Sequence, residues 1–171
     1  MKRKIQILLL VAICSHISIT YSRELSEWEK ELNIPTWVKD EFRNRSLNET
    51  YEYYYTMNPV YIRGDFDGDS EPDIAVMVMN KKTRKVGIFV VHYKGKNTFL
   101  LGAGEKIGNG GDNFDWLTNW AVERKGAVGL GASDKVPPKT TGESIFVEKT
   151  ESASAVLYWD GDSYNWYQQG D

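Results

Sequence analysis

The stretch Gly64-Asp65-Phe66-Asp67-Gly68-Asp69-Ser70-Glu71-Pro72-Asp73-Ile74-Ala75-Val76 places five carboxylates within nine residues, and an apolar run follows at once. Ca²⁺ takes six to eight oxygen ligands at about 2.3–2.6 Å, and a loop with an acid at every second residue can direct several of them at one point. Without a cation, such charges repel by about 1 kcal/mol per close pair even in water. The spacing therefore predicts a calcium-type loop that enters a β-strand.

The residues at 64–69 and 72–76 closely resemble the calcium loop of the FG-GAP/VCBS repeats of integrin-type propellers and bacterial surface proteins. The resemblance implies that calcium is the cofactor and that a main-chain carbonyl near Glu71 completes its coordination, with these side chains as ligands: Asp65, Asp67, Asp69 and Asp73. Calcium loops often turn on Gly at the sixth position, where this chain has Ser70. An acidic turn that binds no ion strongly remains the alternative.

The chain departs from the repeat family in copy number. A propeller needs several blades of about four strands each, whereas only residues 64–76 match well. The turn Asp160-Gly161-Asp162-Ser163 repeats part of the motif, but Tyr158 and Trp166 stand where two of the acids would be. This second segment is typical of a hairpin turn. We expect one calcium loop that holds a loop to a sheet.

The N-terminus has the pattern of a secretory signal peptide. Lys2, Arg3 and Lys4 precede the apolar residues 5–13, which are too few to span a bilayer, and residues 20–22 offer a cleavage site. We therefore expect a signal peptide at 1–22 and a single domain at 23–171, exported to the periplasm or secreted, with no integral membrane segment after signal removal.

The composition of residues 23–171 limits the classes of function. This part has no cysteine, and removal of the three N-terminal cations makes it more acidic than the formal net charge of −3. An acidic chain is a poor partner for nucleic acid or an anionic membrane. Without cysteine and with His92 as its one histidine, a zinc site or a Cys/His nucleophile is not expected.

The periodicity of the chain predicts helices first and strands afterwards. Residues 23–45 have a helical pattern that breaks at 33–35, and from residue 51 short apolar and aromatic runs alternate with turn residues. No strand–helix alternation follows residue 45. We predict an α+β fold with one or two N-terminal helices packed on a mainly antiparallel sheet of about six to eight strands.

The Gly-rich segment 102–115 is predicted to be a loop, and the stretch from Gly108 to Trp116 is a candidate ligand-binding surface. Glycines let a backbone approach a ligand closely, and long loops are often functional. The candidate residues supply oxygens, amides and one stacking ring: Asn109, Asp112, Asn113, Asp115 and Trp116. The alternative is a connection that tucks Trp116 into the core.

Three functions are compatible with these observations, and no catalytic residue is assigned. The leading hypothesis is an exported, calcium-stabilised, non-enzymatic binding domain for an unidentified protein or glycan. The second is a small carboxylate-dependent hydrolase that uses Asp112 and Asp115. The third is a periplasmic inhibitor or immunity-type protein, which small size and acidity permit.

Overall fold

The computed structural model describes residues 26–126, 128–131 and 136–170, without the side chains of Glu31 and Leu32. The predicted signal peptide lies outside these residues. Three short helices come first in the described part, α1 (Glu27–Asn33), α2 (Thr36–Asn44) and α3 (Leu47–Thr50). The helical pattern with a break at 33–35 is confirmed for this part of the chain, and α1 begins at a capping box between Ser26 and Glu29.

Nine strands follow in the described residues and form two antiparallel sheets. The first sheet has the order β1-β3-β4-β5, with β2 also paired to β3, and the second has the order β6-β7-β8-β9. The strands are β1 (Tyr51–Tyr53), β2 (Tyr61–Gly64), β3 (Asp73–Asn80), β4 (Val86–Val91), β5 (Thr98–Gly102), β6 (Asn119–Glu123), β7 (Ser144–Lys149), β8 (Ala153–Trp159) and β9 (Tyr164–Gly170).

The prediction of an α+β fold with helices on one sheet of about six to eight strands was wrong. The protein is β-rich, with two packed sheets and three short helices in the described residues. Local periodicity identifies a strand but carries no information about which sheet the strand joins. The C-terminal strands bury alternate apolar side chains such as Ile145, Val147 and Leu157 against the first sheet, and they form a layer of their own.

Strand β3 is buried on both of its faces, as its continuous apolar sequence predicts. Ala75, Met77 and Met79 belong to the core between the sheets. On the opposite face, Ile74, Val76 and Val78 pack in a second core, to which α2 contributes Val38 and Phe42. This central strand holds the end of the acidic loop in a rigid environment.

The acidic loop connects two antiparallel neighbours in the first sheet. Strand β2 pairs with the beginning of β3, and the last pair before the loop is Gly64 with Asp73. Strand β1 pairs with the other end of β3, from Val78 to Asn80, so β1 and β2 share one side of β3. The loop therefore projects from the end at which the buried strand β3 begins.

Candidate metal centre

The backbone of the acidic loop holds its carboxylates in place. The Oδ1 and Oδ2 atoms of Asp65 accept hydrogen bonds from the N–H groups of Gly68 and Ser70, at 2.8 and 3.1 Å. Oδ1 of Asp67 accepts from the N–H of Asp69 at 3.1 Å. Gly68 has a φ of +83°, a left-handed conformation that glycine adopts without steric cost. The loop turns back on itself and gathers its acids on one side.

The side chains of Asp65, Asp67 and Asp69 form an all-oxygen group, which we call the outer group. Each offers an oxygen within 4.8 Å of the other two. Asp69 also uses Oδ1 to accept from the N–H of Glu71 at 2.8 Å, and the Glu71 side chain is exposed outside this group. Three converging carboxylates suit a hard cation such as Ca²⁺.

Lys96 provides a positive charge at the outer group. Its Nζ atom lies 2.5 Å from Oδ2 of Asp69, in an exposed ion pair. The hydrogen bond from Lys96 lowers the pKa of Asp69, and the same contact raises the pKa of Lys96. A cation that binds Asp69 must therefore compete with the lysine ammonium group.

Asp73 is fully buried and ties the loop to the strands. Its Oδ2 accepts from the N–H groups of Phe66 and Asp67, at 2.8 and 3.2 Å, and its Oδ1 accepts from the N–H of Tyr93 at 2.8 Å. Burial raises the pKa of Asp73 to about 6, against the opposing effect of these donors, and the charge of Asp67 adds to the rise.

His92 lies beside Asp73, although no sequence pattern placed it in the site. The register of β3 and β4 pairs Ile74 with Val91, and its continuation by one step sets His92 opposite Asp73. His92 is fully buried, and its Nε2 lies 3.0 Å from the hydroxyl oxygen of Tyr164 on β9. Burial lowers the pKa of His92 and favours the neutral imidazole.

The side chains of Asp67, Asp73 and His92 form what we call the inner group. Each offers a ligand atom within 4.8 Å of the other two. The Nδ1 atom of His92 is 3.3 Å from Oδ2 of Asp67, yet it makes no hydrogen bond. The structure thus divides the acids predicted as one ligand set between two groups, and Asp67 belongs to both.

Sequence reasoning missed His92 because its partners are distant in the chain. The sequence signal that could have placed His92 was the hairpin between β3 and β4. Its short connection implies a register in which the end of β4 lies beside the start of β3. The contact with Tyr164 spans 72 residues and depends on the packing of the two sheets.

The candidate residues of loop 108–116 do not converge on one point. Asp112 pairs with Lys85, and the hydrogen bond from Lys85 lowers the pKa of Asp112. The side-chain oxygen of Asn113 accepts from the N–H groups of Val86 and Asp115, at 2.9 and 3.3 Å. Asn113 therefore supports the loop structurally, and the side chain of Asp115 is exposed.

Two tryptophans and two glycines form a corner at this loop, which we call the aromatic corner: Gly108, Gly110, Trp116 and Trp166. The rings of Trp116 and Trp166 meet edge to face with centroids 6.2 Å apart. A Cβ added at Gly108 or Gly110 would lie 2.3 or 2.4 Å from side-chain atoms of Trp166, so only glycine permits this approach. The neighbouring Asn109 is exposed.

Comparison of the chain with protein-family models, curated proteins and solved structures found no match. The FG-GAP/VCBS resemblance stays a prediction that rests on the residues of the acidic loop. Across the part of the chain that the structure describes, the helices are too short and too polar to cross a bilayer. In the described residues, the features that bear on function are the outer group, the inner group and the surfaces around them.

Proposed function

We propose that the protein is an exported, calcium-stabilised, non-enzymatic binding domain for an unidentified protein or glycan. The observation that carries the proposal is the convergence of the carboxylates of Asp65, Asp67 and Asp69 in a loop whose backbone donors orient them. Ca²⁺ prefers such oxygen ligands, and a bound ion removes the repulsion between them. Calcium in this role stabilises the loop and takes no part in a reaction.

The position of the loop supports a stabilising role for the ion. Its last acid, Asp73, begins strand β3, which is buried at every position except its last, and the amide of Asp65 donates a hydrogen bond to Glu143 just before β7. An ion that orders this loop should therefore also stabilise its attachments to both sheets. An ion that binds only the folded state adds RT ln(1 + [L]/Kd), about 2.7 kcal/mol at a hundredfold excess over Kd.

The aromatic corner supports the proposed binding of a protein or glycan. Trp116 and Trp166 are both partly exposed, and exposed Asn109 adds amide donors and an acceptor nearby. Tryptophan and tyrosine are enriched at binding interfaces because they combine a large apolar face with a hydrogen-bonding group. Gly108 and Gly110 pack closely against the side chain of Trp166, and a surface already held in its binding conformation loses less entropy on binding.

Asp112 is unsuited to the role of general acid in a carboxylate-dependent hydrolase. A glycosidase needs one carboxyl group whose pKa is raised, so that it can donate a proton to the leaving group. The ion pair with Lys85 lowers the pKa of Asp112 instead. A hydrolase at this loop would have to take its general acid from another residue.

Calcium titration of chelator-treated protein tests the proposed cofactor. We expect saturable heat and a rise in melting temperature with added Ca²⁺, and both effects should be strongly reduced in Asp65→Asn and Asp69→Asn. Asp162→Asn removes one carboxylate from a distant hairpin turn and should behave as wild type. The absence of binding by the wild-type protein, or equal binding by the Asp65→Asn variant, would contradict the proposal.

Glycan-array binding and a pull-down from the cell envelope test the proposed partner. We expect a ligand that the wild-type protein retains and Trp116→Ala loses, with calcium affinity unchanged. Tyr158→Ala removes a partly buried aromatic side chain that packs against Val128, Val156 and Tyr167 rather than against the corner, and it should keep the ligand. Turnover of a glycan that depends on Asp112 and Asp115 would instead support the hydrolase, and an envelope protein bound by both variants would contradict the role of the corner.

A further inference from the structure

The inner group contains a buried nitrogen atom without a partner. His92 has no solvent-exposed surface, and its Nδ1 makes no hydrogen bond although Oδ2 of Asp67 lies 3.3 Å away. A buried polar atom without a partner costs about 1–3 kcal/mol. The carboxylate of Asp73 completes the group. This arrangement requires an explanation that the proposed calcium site does not supply.

We propose that Asp67, Asp73 and His92 form a second cation site that binds a first-row divalent transition metal such as Zn²⁺. Calcium takes oxygen ligands, whereas imidazole nitrogen together with carboxylate oxygen suits zinc and its neighbours in the first row. Two carboxylates balance the charge of one divalent ion. The ligand types therefore distinguish this site from the outer group.

The acids of the inner group keep the capacity to bind a metal. Oδ1 of Asp67 accepts the N–H of Asp69, whereas Oδ2 is the oxygen that lies near His92. Oδ1 of Asp73 accepts a single hydrogen bond, from the N–H of Tyr93. A carboxylate oxygen has two lone pairs, so both acids retain acceptor capacity after their structural hydrogen bonds are made.

Tyr164 is placed to hold the histidine in the tautomer that a metal requires. When Nε2–H donates to the Tyr164 oxygen, 3.0 Å away, the lone pair of Nδ1 is left for a cation. Histidines that bind metals usually donate their second N–H to such a partner, which sets the tautomer and the ring orientation. Phe99 and Trp159 enclose the ring, each with its centroid 5.2 Å from that of the histidine.

The two sites share Asp67, so their occupancies are linked. The zinc proposal can nevertheless be tested independently of the calcium proposal, because each site also has a ligand of its own. Asp69 belongs to the outer group and His92 to the inner group. Asp69→Asn should lose calcium and keep zinc, whereas His92→Gln should lose zinc and keep calcium. Asp67→Asn should weaken both ions. The failure of either proposal can therefore be recognised separately.

Zinc titration of the full chain without added calcium is the decisive measurement, because the two sites share Asp67. We expect saturation at about one ion per chain, the loss of this phase in His92→Gln, and a decrease in affinity of about tenfold or more in Tyr164→Phe. Cys14→Ser/His16→Gln is the matched control, because it removes the other histidine and the cysteine, and its zinc binding should remain.

Nitrogen NMR of the imidazole distinguishes a metal ligand from a histidine with only a structural role, because zinc would not shift the nitrogen signals of the latter. Zinc should leave Nε2 protonated and shift the Nδ1 resonance to that of a metal-bound nitrogen. Circular dichroism establishes that each variant is folded, and if His92→Gln is not, Tyr164→Phe and the NMR signals decide the outcome. No zinc binding by the wild-type protein, an unchanged Nδ1 signal, or undiminished binding by folded His92→Gln would overturn the proposal.

Discussion

Asp65 and Glu143 exchange two hydrogen bonds across the space between the two sheets. The N–H of Asp65 donates to Oε2 of Glu143 at 2.9 Å, and the N–H of Glu143 donates to the carbonyl oxygen of Asp65 at 2.7 Å. One residue begins the acidic loop, and the other directly precedes β7. The candidate metal centre is therefore attached to the second sheet as well as to the first.

Replacement of Glu143 by Ala should destabilise the protein by about 1–3 kcal/mol, because the partly buried N–H of Asp65 loses its acceptor. Glu143→Gln keeps a side-chain oxygen at the same place and should cost less. Urea unfolding monitored by fluorescence measures both. Glu105→Ala removes an exposed glutamate elsewhere and should have little effect. Equal stability of Glu143→Ala and wild type would show that this bond is dispensable.

Gly142 is a position where the acidic loop and the second sheet approach too closely for a side chain. A Cβ at this residue would lie 2.2 Å from the carbonyl oxygen of Asp65 and 2.7 Å from the nitrogen of Gly68. Gly142→Ala must displace backbone atoms, and we expect a loss of about 1–3 kcal/mol or more, together with weaker calcium binding.

Gly129→Ala is the control for this prediction, because no atom lies within 4 Å of its added Cβ. It should change the free energy of unfolding by less than about 0.5 kcal/mol. Thermal unfolding and calcium titration of both variants make the comparison. The same stability for the two alanine variants would mean that the loop can move away from Gly142 without cost.

Removal of Lys96 should strengthen calcium binding. The ammonium group of Lys96 pairs with Asp69 Oδ2 at 2.5 Å, so an incoming cation must displace it. For Lys96→Ala we expect calcium affinity to rise by up to about fivefold at low ionic strength, with a smaller gain at high salt. Calorimetric titration at two salt concentrations measures the effect.

Lys94→Ala provides a charge-matched control for Lys96. Its Nζ lies 4.9 Å from the centre of the Tyr93 ring rather than on a loop carboxylate. The two variants change the net charge equally, so a difference in their calcium affinities must come from a specific contact. Weaker calcium binding in Lys96→Ala would show that the lysine organises the site rather than competing for it.

The hairpin turn between β8 and β9 should give an acid-sensitive contribution to stability. The N–H groups of Ser163 and Asp162 each donate to Oδ1 of Asp160 at 2.9 Å, and they hold the pKa of Asp160 below its ordinary value of 3.8. A carboxyl group whose pKa is lower in the folded state stabilises the fold above pH 3.8. That stabilisation is lost as the pH falls through the folded pKa.

Melting temperatures of wild type and Asp160→Ala between pH 6 and pH 2 test the direction of this pH dependence. We expect the wild type to be more stable near pH 6 and the difference to shrink with acidification. NMR titration of the Asp160 carboxyl carbon should give a midpoint below 3.8. A difference that widens in acid, or a midpoint above the ordinary value, would contradict the prediction.

The acidic loop shows how much of the candidate site could be predicted from sequence. The alternating acids at 65–69 and the flexible Gly68 lie within one turn, so the clustering of Asp65, Asp67 and Asp69 follows from local geometry. Asp73 lies only four residues farther along, yet its role differs. Its burial and its three backbone donors depend on β3 and on the N–H of Tyr93 beyond β4.

The sequence by itself determined the local structure of this protein: the helices that break before Pro35, the apolar strand β3, and the loop that gathers three acids. The tertiary structure alone decided that the strands divide into two sheets and that His92 meets Tyr164 across them. Local patterns depend on backbone periodicity and turn geometry over a few residues. Contacts between distant residues depend on how whole layers pack, and no short pattern encodes that arrangement.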